Sequence, residues 1–171
     1  LAVLVHNVEM WHGESKVLSG SWAINSNPDD VTSLVEAVKE KISEENLMYA
    51  KGCEMTEDNS ILGGFGRAIE EEKIEVDKEK DLEEALKAAS KSEVVVMALG
   101  EHYLQSGEGG SRTELSIEKI QLELLEKVRA LGKPVVLVIF NGRPLVLTDV
   151  VGKVEIGRAH VWTPVTVTNL V

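Results

Sequence analysis

The run Gly100-Glu101-His102-Tyr103-Leu104-Gln105-Ser106-Gly107-Glu108-Gly109-Gly110-Ser111-Arg112 gathers several reactive side chains into one stretch. Glu108 stands among Gly107, Gly109 and Gly110, so the backbone around it bends freely and can present the carboxylate at a loop tip. A carboxyl group so placed can act as a general acid, provided that closure over a substrate desolvates it and raises its pKa. Spacing alone is a weak signal, since most loop glutamates are merely solvated. His102 beside one glutamate makes no metal site, because nothing supplies the other ligands. It is expected to be a hydrogen-bonded structural histidine, and neither metal nor cofactor is expected. Ser111 has no histidine partner and no nucleophile-elbow context. His6, His12 and Cys53 lie in separate segments, which leaves a Cys–His nucleophile pair open. Gly63-Gly64-Phe65-Gly66 follows no strand and lacks the third glycine of a dinucleotide fingerprint, so it is expected to be a plain loop.

A loop presents a carboxylate only if rigid elements hold its ends. Residues 94–99, Val-Val-Val-Met-Ala-Leu, are wholly apolar and half β-branched, which predicts a central parallel strand. The loop 100–115 follows it. From Ser116 a helix is predicted, with Ile117, Ile120, Leu124, Leu125, Val128 and Leu131 apolar and Gly132 ending it. Residues 135–140 predict a further buried strand, and Asn141-Gly142-Arg143-Pro144 a sharp turn out of it.

Upstream, residues 1–6 read as a strand covered on both faces, and a polar loop runs to about Ser26. Asn27-Pro28-Asp29-Asp30 predicts a helix start, with Val31, Leu34, Val35, Val38 and Ile42 on one face. Residues 47–50 predict a short second strand. Residues 51–80 are irregular, and the charge run Glu70-Glu71-Glu72-Lys73 suits a solvated face. Asp81-Leu82-Glu83-Glu84 has capping-box spacing and opens a stripe of Leu82, Ala85, Leu86 and Ala89. This alternation predicts an α/β fold: an open, mostly parallel sheet with helices on both faces, a three-layer α/β/α sandwich. Ligands of such sheets bind outside the carboxyl ends of the strands, which is where the Glu108 loop starts.

The 171 residues suit a single domain, and 43% apolar content supports one compact core rather than a disordered tail. Against 18 Lys+Arg stand 29 Asp+Glu, a net charge of −11 that disfavours a nucleic-acid partner. No apolar run approaches the roughly 20 residues of a membrane span, so no membrane partner is expected. The lone Cys53 leaves the compartment open. Leu1 opens directly into an apolar run with no Met, so the true start is expected to lie upstream. At the other end, Glu155-Ile156-Gly157-Arg158-Ala159-His160-Val161-Trp162-Thr163-Pro164-Val165-Thr166 resembles a translated DNA-sequencing adapter. Residues 155–171 are therefore expected to be a non-native tail, leaving the domain at 1–154 and its sheet incomplete at the C-terminus. The alternative is a real terminal strand.

Three groups of segments together resemble the C-terminal α/β-sandwich domain of glycoside hydrolase family 3 β-glucosidases. They are residues 94–100, then Ser106-Gly107-Glu108 with Ser111-Arg112-Thr113-Glu114-Leu115, then Gly132-Lys133-Pro134-Val135-Val136-Leu137-Val138 with Asn141-Gly142-Arg143-Pro144-Leu145. Gly20-Ser21-Trp22 and Tyr49-Ala50-Lys51-Gly52-Cys53 add to the resemblance, which covers residues 1–154. It implies a retaining glycosidase acting on a β-glucoside or oligosaccharide. An N-terminal barrel would carry the aspartate nucleophile, and this domain would lend the acid/base across the interface. Glu108 matches that acid/base, with Glu101 the runner-up carboxylate, whose place at the strand end favours a structural hydrogen-bonding role. Ser21 matches a serine that approaches the sugar, Trp22 would line the site or pack, and Arg112 would organise the loop or pair with an acid. Gly109-Gly110 depart from the small non-glycine residues common there, a freedom that loosens placement of Glu108. Two other readings compete: a doubly wound nucleotide- or small-ligand-binding module, and a glycosidase domain whose catalytic loop has decayed. The first lacks a Gly-rich phosphate turn after strand one, where His6-Asn7-Val8-Glu9 stands instead.

Overall fold

The structure is a computed structural model that describes residues 1–5, 32–57, 77–102, 105, 110–154 and 156–161. In chain order the strands are β1 (Ala2–Val5), β2 (Met48–Ala50), β3 (Val95–Gly100), β4 (Val135–Asn141) and β5 (Ile156–Val161). The described helices are α1 (Leu34–Lys39), α2 (Lys78–Lys91) and α3 (Lys119–Arg129), with a 3-10 turn at Glu44–Asn46. The strands form one sheet in the order β2-β1-β3-β4-β5, and every neighbouring pair is parallel.

Residue type explains who sits where. β3 is the middle strand, and five of its six residues are buried, as expected where helices cover both faces. β4 alternates buried and half-buried positions along its length. Val95, Met97 and Leu99 of β3 and Val135, Leu137 and Ile139 of β4 pack with Ala85 and Ala89 of α2 and Leu124, Leu125 and Val128 of α3. The intervening Val96, Ala98 and Phe140 meet Leu34, Val35 and Val38 of α1 on the opposite face. The result is a three-layer sandwich. A side chain such as Leu125 or Leu137, withdrawn almost fully from water, contributes about 1.5–3 kcal/mol.

Three helix starts differ from the sequence expectation. α1 begins at Leu34, not at Asn27-Pro28, because Ser33 and Glu36 close a reciprocal capping box: the Ser33 side chain accepts from the Glu36 N–H and the Glu36 carboxylate from the Ser33 N–H. Residues 27–31 lie outside the described residues. α2 begins one turn before Asp81, with Asp77 accepting from the Lys80 N–H at 3.1 Å, so Asp81 becomes a first-turn acid. α3 begins at Lys119, because Ser116 is held in extended form by a parallel bridge to Val146. The Leu115 carbonyl accepts there from the Val146 N–H at 2.8 Å.

β5 falls within the tail set apart on sequence grounds. Its backbone pairs with β4 from Val136↔Ile156 to Asn141↔Val161, so the β4 edge is covered.

The chain runs outward from β1 to β2, then returns across β1 to β3. Strand order therefore reverses between β1 and β3, which are paired up to Val5↔Ala98. Crevices that bind ligands in open α/β sheets form at such a reversal, beyond the carboxyl ends of the strands.

Candidate active site

β3 ends at Gly100, and its neighbourhood admits no other residue. Gly100 has φ of +142°, and a Cβ there would lie 1.8 Å from the Phe140 carbonyl oxygen. Gln121 of α3, wholly buried, clamps this residue: its Oε1 accepts from the Gly100 N–H, and its Nε2 donates to the Gly100 carbonyl, both at 2.8 Å. The same Nε2 donates to the Met55 carbonyl at 2.7 Å, tying in the segment after β2. The Glu101 N–H then donates to the Phe140 carbonyl at 2.8 Å, so the carboxyl end of β3 is rigid.

Rigidity continues into the side chains. Glu101 is 3% exposed and carries the negative centre of a four-charge cluster. Its Oε1 lies 2.9 Å from Arg112 Nη1 and 3.3 Å from Arg143 Nε, and its Oε2 accepts from the Gly142 N–H at 3.3 Å. Arg112 Nη2 donates to Glu118 Oε1 at 2.9 Å, and Gln105 Nε2 donates to that same oxygen at 3.2 Å. Two carboxylates and two guanidiniums thus balance, as charges this poorly hydrated must. Gln105 also accepts at Oε1 from the His102 N–H at 2.7 Å. Burial pushes the His102 imidazole down to about 4, so it is neutral near pH 7.

Glu108 itself lies outside the described residues, together with Tyr103, Leu104, Ser106, Gly107 and Gly109. So do Ser21, Trp22, His6, His12, Gly63-Gly64-Phe65-Gly66 and the charge run 70–73. The residues on either side of the Glu108 segment are described, and one side chain holds both. Arg143 Nη2 donates to the Gln105 carbonyl and to the Gly110 carbonyl. Arg143 is in turn set by the β4 turn, where Asn141 Nδ2 donates to the Arg143 carbonyl at 2.6 Å.

Cys53 is buried, and burial, with Glu54 adding to it, pushes its thiol up to about 12, so it is no nucleophile at neutral pH. It lines a cavity of about 200 Å³ with Leu82, Ile120 and Leu124, away from the Glu101 cluster. Among the described residues no group of three His, Cys, Asp or Glu is arranged to hold a metal ion. Among the same residues no helix is long and apolar enough to cross a membrane.

Residues 2–165 match the glycosyl hydrolase family 3 C-terminal domain. The chain belongs to this family. Among curated relatives of this family 3 domain, the periplasmic beta-glucosidase of Salmonella typhimurium is 32% identical over 132 residues, 75% of this chain and 17% of that protein. The beta-xylosidase of Formosa agariphila is 34% identical over 134 residues, 78% of this chain and 16% of that protein. The chain therefore spans about a sixth of the length of these relatives. The crystal structure of the beta-glucosidase from Listeria innocua with isofagomine superposes with a TM-score of 0.69 at 25% identity, covering 92% of this chain and 18% of that one. A mutant of the same protein was determined with laminaribiose, with a TM-score of 0.68 at 25% identity, covering 91% of this chain and 18% of that one.

Of the site residues expected in this family 3 domain, the structure brings Glu101 and Arg112 together. Arg143, Gln121, Glu118 and Gln105 also belong to the cluster and were not among the expected site residues. Arg143 stood within a quoted motif, but only as a turn residue; its signal was a lone cation in an otherwise uncharged turn at a strand end.

Proposed function

We propose that this domain supplies Glu108 as the general acid/base of a retaining glycosidase acting on β-glucosides or related oligosaccharides. The nucleophile would come from an N-terminal barrel of the same protein. Family membership carries this reading, together with relatives above 30% identity that are a beta-glucosidase and a beta-xylosidase. The topology supports it: the segments bearing Ser21-Trp22 and Glu108 leave from the carboxyl ends of β1 and β3, neighbours at the strand-order reversal. Isofagomine and laminaribiose in the Listeria innocua structures support a β-glucoside as the substrate class.

Carboxylate chemistry sets the steps. Retention uses two carboxyl groups about 5–5.5 Å apart, one ionised and one protonated. Glu108 would protonate the glycosidic oxygen as the barrel carboxylate attacks the anomeric carbon. It would then take a proton from the water that releases the glycosyl intermediate. Glu101, buried against two guanidiniums, holds the loop and does not exchange protons with substrate. Lacking the nucleophile, the isolated chain is expected to show no glucosidase activity.

The test is Glu108→Gln in an enzyme reconstructed by joining this chain to a family 3 barrel. A dinitrophenyl glucoside needs no acid to leave, so its kcat/KM stays near the parent value while its kcat falls. Azide then restores kcat and forms the glycosyl azide, because azide attacks without needing a base. Unchanged hydrolysis of a poorly activated alkyl glucoside by Glu108→Gln would remove Glu108 from the mechanism, leaving a domain whose loop has lost its role.

A further inference from the structure

We propose that Arg143 is a positioning residue that sets where the Glu108 carboxyl is presented; this rests on the acid/base reading above. One guanidinium nitrogen, Nη2, donates to the carbonyls of both Gln105 and Gly110, the described residues on either side of 106–109. The two ends of the Glu108 segment are thereby drawn to one point and bound to the turn after β4. Behind it, Nε of the same side chain lies 3.3 Å from Glu101 Oε1 with no hydrogen bond between them, so the buried carboxylate holds the guanidinium by charge alone. Arg112 does something else: its Nη2 turns to Glu118 and the Ser116 carbonyl, toward the start of α3.

The glycines make this clamp matter. Gly107, Gly109 and Gly110 impose little backbone preference of their own, so the segment's placement must be imposed from its ends. Fixing both ends removes the end-to-end freedom that would otherwise help to scatter the carboxyl. A planar guanidinium can face Glu101 along one edge and two carbonyls along another. An ammonium, a point charge on a thinner stem, has no such fork.

The test uses the reconstructed enzyme and two substrates, an alkyl glucoside that needs protonation to leave and a dinitrophenyl glucoside that does not. In Arg143→Ala, kcat/KM for the alkyl glucoside is expected to fall about 100-fold, the usual consequence of an ångström-scale misplacement. For the dinitrophenyl glucoside kcat/KM stays within about threefold, since only the acid is displaced. Arg143→Lys retains the charge beside Glu101 and keeps the fold if Arg143→Ala does not; it is expected to show the same selectivity, with a loss of about tenfold. In a Glu108→Gln background either substitution costs nothing further, because there is no carboxyl left to misplace. Equal losses on both substrates, or losses that multiply with Glu108→Gln, would overturn the proposal and leave Arg143 a purely structural residue. If Glu108→Gln alone hydrolyses the alkyl glucoside normally, it is the acid/base reading that fails, and the positioning role falls with it.

Discussion

Replacing Glu101 with Gln tests whether the charge cluster anchors the loop. Glutamine keeps the shape of the side chain but removes its charge and turns one acceptor into a donor. That donor would face Arg112 Nη1 at 2.9 Å and Arg143 Nε at 3.3 Å, or the Gly142 N–H at 3.3 Å, all of them donors already. Removing one partner of a buried pair costs about 3–5 kcal/mol, because the other charge is left uncompensated. The Glu101 side chain is 2% exposed, but Arg112 is 14% exposed and keeps Glu118, so the lower end applies. With a urea dependence of about 2 kcal/mol per molar, a loss of about 3 kcal/mol lowers the unfolding midpoint by about 1.5 M. Urea denaturation followed by circular dichroism reads this directly. A midpoint shift under about 0.5 M would mean that the pair behaves like a surface ion pair and that the loop is anchored elsewhere. Azide should leave Glu101→Gln unrescued in the reconstructed enzyme, in contrast to Glu108→Gln.

Gly100→Ala is expected to abolish soluble folded protein, since its Cβ would sit 1.8 Å from the Phe140 carbonyl oxygen, where β3 and β4 pair at the carboxyl end of β3. A normal circular dichroism spectrum and unfolding midpoint for that variant would refute the geometry at the strand end. His102 titrates near pH 4 when folded and 6.5 when free, so between those values the unfolded chain binds the extra proton. Stability is therefore unaffected by His102 above about pH 6.5 and falls by about 3 kcal/mol as the pH drops toward 4. Urea midpoints compared at acidic and neutral pH should show this slope, and His102→Gln should flatten it. Deleting residues 155–171 uncovers the β4 edge and should produce higher oligomers in light scattering. The coding nucleotides of the same segment decide its origin: bases identical to an adapter mean a non-native tail, unrelated codons a native fifth strand.

The layered sheet was legible because β3 and β4 are almost wholly apolar and the helices between carry clean stripes. Helix starts were less so. Asp77 and Asp81 both head helix-compatible runs four residues apart, and local sequence does not say which meets the end of the preceding loop. Ser33-Leu34-Val35-Glu36 has capping-box spacing, yet Asn27-Pro28 upstream offered a competing start. Ser116 was expected to begin a helix but pairs with Val146, thirty residues on, a contact no local rule contains. The same division holds in the site. Glu101 and Arg112, eleven residues apart, could be read as companions of one loop. Gln121 reaches Gly100 across 21 residues and Arg143 reaches Gln105 across 38, so their roles exist only once α3 and β4 are in place.

The interior place of β1 has a consequence for biosynthesis. This strand is made first among the described elements, yet it is sandwiched between β2 and β3 and cannot be completed from its own neighbourhood. Its second partner is synthesised about 90 residues later, which at ribosomal speeds is roughly 5–20 s. During that interval one edge of a short apolar strand stays unpaired, even after β2 has covered the other. Slowing elongation across residues 6–94 should therefore increase chaperone dependence, whereas a slow stretch after Asn141, once β3 and β4 are both out, should not.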